Sequence, residues 1–193
     1  MQCSSNNCRF GSCRSLLVAL MLCLLFLWIA SCSEDPEARF KRLDQEAKAY
    51  FARSEYDDAL MIWERALAIR PNSPDIYQKI GAAHLRVGDY SMAGEAFRQV
   101  INLKPDAWGI RLELAKLQLI SGDIGAAEAS WERLRRGGSD NPEMWIFHGD
   151  LMILKDRLDE AELSYRQALA MAPSDDLALI KLAACYFTQG KLA

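Results

Sequence analysis

From about Phe40 onward, apolar and small residues recur along the chain with a period of 34. Ala59, Ala93, Ala127 and Ala161 are each 34 apart, and Trp63, Phe97, Trp131 and Tyr165 follow them by four. A second small residue recurs at Ala47, Gly81, Ala115, Gly149 and Ala183, and a further apolar series at Tyr56, Tyr90, Ile124, Leu158 and Leu192. Pro71, Pro105 and Pro173 close three of the four complete units, and no insertion breaks the register. Within a unit the pattern predicts two antiparallel helices. For residues 74–107, Asn72-Ser73 offers an N-cap, Pro74 suits the first helical position and Asp75 complements the helix dipole. Ile76, Tyr77, Ile80, Leu85 and Val87 keep helical spacing, and Gly88-Asp89 breaks the helix. Tyr90, Ala93, Phe97, Val100 and Ile101 then line a second helix that ends before Pro105. Ser54-Glu55, Gly122-Asp123, Asp156-Arg157 and Gly190-Lys191 occupy the same turn in the other units. A fixed period of this size predicts a solenoid, in which each unit buries its apolar face only against its neighbours.

The first 33 residues follow a different pattern. A polar start with Arg9 and Arg14 leads into an unbroken apolar run from Leu16 to Ala30. As a helix that run spans roughly 22 Å, short of the ~30 Å hydrocarbon core, so it predicts a secretory signal peptide rather than a membrane span. Its end, Ile29-Ala30-Ser31-Cys32, resembles the lipobox of bacterial lipoproteins: an aliphatic residue, two small ones, then cysteine. The resemblance implies a diacylglyceryl thioether on Cys32, cleavage before it and membrane attachment through acyl chains (palmitate among them). It also implies residence on the periplasmic side of the cell envelope. Ser33, where an inner-membrane lipoprotein of enteric bacteria carries Asp, favours the outer membrane. A signal-anchor with a chance cysteine is the competing reading. Residues 32–39 are then a lipidated cysteine with a short tether.

Composition narrows the function. Among 193 residues the formal charge is −3, and the first 31 contain no acid, so the remainder is more acidic still. A mildly acidic body without a basic stripe argues against nucleic acid as a partner. Five of the six cysteines lie in the first 32 residues, which leaves Cys185 alone in the body and the fold dependent on packing. There is no phosphate-binding glycine loop, zinc-type histidine pair or framed nucleophile, so neither an enzyme nor a cofactor or metal site is expected in these residues. His84 and His148 sit on core-facing rungs of different units, and Cys185 lies in an apolar helix that makes a thiol inert.

The small residue at position 8, Ala at 20, aromatic at 24 and Pro at 32 resemble the tetratricopeptide repeat. The resemblance covers units 40–73, 74–107, 108–141 and 142–175, with a partial fifth at 176–193. It implies an all-α, right-handed α-solenoid, preceded here by the signal helix of residues 1–31. Glu46, His148 and Ser139 depart from the family pattern, and Arg135-Arg136-Gly137-Gly138 predicts a looser joint after the third unit. In this family the first helices line a concave groove that binds protein segments, through positions 2, 5, 9, 12 and 13. Carried onto this chain, the apolar end of that groove is Leu112, Lys116, Leu119 and Ile120, then Ile146, Asp150, Ile153 and Leu154, then Ile180 and Phe187. The cation set by which some relatives clamp a terminal carboxylate is absent, since Asp44 and Gln78 stand in those places. The final helix, Asp176 to Gln189, is apolar nearly all round, which predicts an interior helix covered by further repeats, by a partner or by a second copy. The expected function is a membrane-anchored scaffold for envelope complexes such as pili, secretion machinery or exopolysaccharide export. The alternatives are the repeat region of a longer enzyme, or a self-associating structural protein.

Overall fold

The computed structural model describes residues 35–137 and 141–190. The signal peptide, Cys32, the Ser139 joint and Leu192 lie outside the described residues. The chain divides into two compact units, residues 1–42 and 43–193. In the first, the described part is the opening of α1 (Pro36–Ala52), where Lys41 pairs with Glu37 one turn back at 3.6 Å. The second holds the rest of α1 and every later helix: α2 (Tyr56–Ile69), α3 (Pro74–Val87), α4 (Tyr90–Leu103), α5 (Trp108–Ile120), α6 (Ile124–Arg136), α7 (Pro142–Leu154), α8 (Leu158–Met171) and α9 (Asp176–Thr188). No strand occurs among the described residues. From α3 on, consecutive helices pack as hairpins and each hairpin packs on the next, so the helices from α3 to α9 form a solenoid.

Local chemistry sets the hairpin ends. Pro74 and Pro142 take the first helical turns of α3 and α7, where a missing N–H costs nothing. Asp89, Asp123, Asn141 and Asp175 each accept a hydrogen bond from the backbone N–H three residues on, at 2.8–3.0 Å. Ser73 stands at the N-cap of α3 but its hydroxyl makes no capping bond, contrary to expectation. Between the helices of each unit one residue is left-handed, and it recurs at the same repeat position: Ser54, Gly88, Gly122, Asp156 and Gly190, with φ from 56° to 86°. Glycine takes that conformation without a Cβ penalty; Ser54 and Asp156 take it at a cost.

The periodic rungs point inward. Ala59, Ala93, Ala127 and Ala161 are fully buried, and Trp63, Phe97, Trp131 and Tyr165 nearly so. The aromatic rung has a role the sequence did not reveal. A Cβ added at Gly81 would lie 2.4 Å from the Phe97 ring, and one at Gly149 would lie 2.3 Å from the Tyr165 ring. Position 8 is thus small because the aromatic ring of its own unit lies against it, where the sequence suggested only the crossing of two helices. Trp131 also reaches forward, stacking on His148 of the next unit with ring centroids 4.0 Å apart. At the third joint Trp108 lies against the backbone of Gly137, where a Cβ would come within 2.2 Å of the indole. Ala183 and Tyr90, the first residue of α4, are exposed, so these two positions leave the core pattern.

Candidate functional site

The first helices of units three to five, α5, α7 and α9, adjoin one another, and between them lies a groove of about 670 Å³. Its α5 wall is Lys116, Leu119 and Ile120; its α7 wall includes Ile146, Asp150, Ile153 and Leu154. These seven are among the ten residues expected there. Helical spacing explains the convergence, because positions 9, 12 and 13 of α5 and 5, 9, 12 and 13 of α7 fall on one face of each helix. Ile146 is buried on the groove floor, whereas Ile120 and Leu154 are 60% and 56% exposed at its mouth.

Three expected residues fall elsewhere. Leu112 is only 3% exposed and belongs to the core that includes Trp131, Met144 and Phe147, so it supports the wall from behind. Ile180 and Phe187 are 65% and 76% exposed on α9, outside the groove lining, because no described helix follows α9 to make the opposite wall. For the same reason α9 is not interior among the described residues: only Ala178 and Cys185 are buried on it. The groove also draws in Phe147, Glu143, Asp175, Leu177 and Lys181. The repeat pattern does not mark Lys181 or Asp175 as groove-lining, for they sit at position 6 of a unit and at a helix cap.

The charged groups on this face are paired across units. Lys181 on α9 reaches Asp150 on α7 at 2.9 Å, and the Tyr165 hydroxyl donates to the same carboxylate at 2.7 Å. Burial first, and that bond second, push the Tyr165 phenol well above its ordinary range, so it stays a donor. Lys116 on α5 bonds Glu113 at 2.8 Å and lies 3.7 Å from Glu143 on α7. The same arrangement recurs at the start of the array. Asp44 accepts from Lys48 at 2.7 Å, from Lys79 of the next unit at 2.6 Å and from the Trp63 indole N–H at 3.1 Å. Burial opposes ionisation of Asp44, but these donors outweigh it and hold the carboxyl below its usual range. In two units, then, the polar tip of the aromatic rung and a lysine of the following unit meet on one inner-face aspartate.

The two histidines stand apart. His84 and His148 stand on different helices, α3 and α7. The Ser164 hydroxyl gives its one proton to the Glu160 carbonyl, so His148 Nδ1 donates to Ser164 Oγ at 2.7 Å. Burial holds the His148 imidazole below its ordinary pKa. Cys185 is buried, with its Sγ 3.4 Å from the Leu158 carbonyl. No group of three or more metal-ligating side chains forms among the described residues, and no described helix is long and apolar enough to cross a membrane.

Comparison with known proteins agrees with this architecture. A repeat-family model described as TPR repeat matches residues 47–88, and one described as tetratricopeptide repeat matches 79–142, 112–176 and 155–193. The chain is 35% identical over 86 residues, 45% of its length, to the tetratricopeptide repeat and J domain-containing co-chaperone DNJ1 of Fusarium oxysporum. It is 32% identical over 97 residues, 47% of its length, to the Hsp70-Hsp90 organizing protein of Triticum aestivum. The match spans only 16% of the length of each of these relatives. A solved structure of MamA from Desulfovibrio magneticus RS-1 superposes with a TM-score of 0.70 at 16% identity, covering 79% of this chain and 86% of that one. Repeat register, hairpin geometry and family match agree: this chain belongs to the tetratricopeptide repeat family.

Proposed function

We propose that the protein is a lipid-anchored scaffold of a bacterial envelope that holds a segment of another protein in the groove between α5, α7 and α9. Tetratricopeptide-repeat proteins mediate protein–protein interactions, and the names of the two relatives above, a co-chaperone and a chaperone organiser, describe proteins of that kind. The observation that carries the reading here is the pairing of exposed Ile120 and Leu154 across the groove mouth. Large apolar side chains held apart on two rigid helices, over a buried floor, suit the apolar face of a helix or peptide. Anchoring rests on Ile29-Ala30-Ser31-Cys32, whose acyl chains would moor the array on the periplasmic side, the outer membrane favoured by Ser33.

Two substitutions test the two halves separately. Ile120→Glu with Leu154→Glu is expected to leave far-UV circular dichroism unchanged and to abolish capture of the bound segment; Leu163→Glu, on an equally exposed leucine of α8, is expected to leave capture intact. Capture that survives the double variant overturns the groove. Cys32→Ala is expected to abolish fatty-acid labelling and to release the protein from membranes; continued membrane attachment refutes lipidation and favours a signal-anchor.

A further inference from the structure

The groove has a chemical polarity along its length. At the end formed by the start of α7 and of α9 stand Glu143 and Asp175. At the end formed by the last turns of α5 and α7 stand Leu119, Ile120, Ile153 and Leu154, without a charge among them. Lys155, which follows Leu154 in the chain, is held by Glu128 of α6 at 2.6 Å. Among the described residues two ammonium groups line the groove, and both are engaged: Lys181 by Asp150, Lys116 by Glu113 and Glu143. Against these two stand three lining carboxylates, Glu143, Asp150 and Asp175. The surplus charge is negative and lies at one end, with Glu143 two-thirds exposed there.

We infer that the occupant is an amphipathic protein segment with a lysine or arginine at one end. Its apolar face lies over Ile120 and Leu154, and its basic end meets Glu143 and Asp175, which fixes the direction in which it lies. The inference rests on the groove reading above and adds the charge and orientation of the partner. A segment ending in a free carboxylate at the acidic end would meet like charge, with both groove lysines already engaged.

The test uses the full-length chain in nanodiscs of zwitterionic lipid, with empty nanodiscs as the blank, and three fluorescent helical peptides of about 14 residues, some 21 Å long. All three share one Leu/Ile/Phe face and differ only in two end residues, Lys, Gln or Glu. Fluorescence polarisation is expected to rank them Lys, Gln, Glu, with steps of about three-fold, the size of an exposed ion pair. In Glu143→Gln with Asp175→Asn the ranking is expected to collapse; asparagine keeps the N-cap of α9, so the helix start survives. Equal affinity for all three peptides, or a ranking that persists in the double variant, overturns the inference while leaving the groove standing. Failure of every peptide to bind, or binding unchanged by Ile120→Glu with Leu154→Glu, overturns both.

Discussion

Alanine at position 149 tests the packing that shapes the groove. Gly149 lies on α7 between the floor residue Ile146 and the wall residue Ile153, and the Tyr165 ring covers it so closely that an added Cβ would sit 2.3 Å from a ring carbon. The ring has little freedom to retreat. It is 1% exposed, and its hydroxyl is fixed to Asp150, which Lys181 holds in turn. Forcing a methyl into such a contact costs about 1–3 kcal/mol, against a helix-propensity gain of about 1 kcal/mol for replacing glycine. Gly94 supplies the control, because it too is inside a helix, yet its nearest neighbour to an added Cβ is Leu114 at 3.7 Å, an ordinary contact. The propensity gain is common to both substitutions and cancels in the difference. Gly149→Ala is therefore expected to be about 2 kcal/mol less stable than Gly94→Ala, a separation in melting temperature of about 4–8 °C for a chain of this size. Gly81→Ala should fall between them, since Phe97 has no polar tether and can tilt. Thermal melts followed by circular dichroism measure all three. Equal melting temperatures for Gly149→Ala and Gly94→Ala would refute the claim that the aromatic rung lies over position 8.

Two further outcomes follow from the turns and the joints. Asp156→Gly removes a side chain from a residue at φ +56° and is expected to raise stability by about 1 kcal/mol in chemical denaturation; a loss of that size would mean that the aspartate side chain holds the turn. His148→Leu is expected to flatten the acid side of the stability profile. The folded imidazole titrates below its ordinary 6.5, so the fold favours the neutral ring, and that contribution is present above 6.5 and lost as pH falls through the folded value. The carboxylates of Glu160, Glu132 and Glu128 and the Arg157 guanidinium face the ring, and burial outweighs the pull of the acids. Melting temperatures at about pH 7.5 and pH 5 should therefore fall further in the wild type than in His148→Leu; parallel falls would contradict it.

The hairpins were legible because their signals are local and repeat. The alanine and aromatic rungs and the left-handed turn residue recur on one period; the rungs are buried and the turn residue is bent as that period requires. Seven groove residues were legible for the same reason, since facing is a property of one helix at a time. What the pattern could not carry depends on neighbours. Leu112 shares its helix face with groove residues but is covered by the following unit, and Phe187 satisfies the position rule yet faces no second wall. Pairings across units, such as Asp150 with Lys181 and Asp44 with Lys79, join residues 31 and 35 apart, a separation that no helical spacing marks. Ser73 is a capping residue type at the N-cap position of α3, yet its side chain makes no capping bond.

In the proposed function another polypeptide lies on the inner face of α5 and α7. A photo-cross-linking amino acid placed singly at Ile120, at Leu154 and, as a control, at Leu163 of α8 measures this directly in cells producing the full-length protein. Adducts at Ile120 and Leu154 that map to one shared segment of a second protein, with none at Leu163, are the predicted result. Equal adducts at all three positions, or adducts at Leu163 alone, would contradict it.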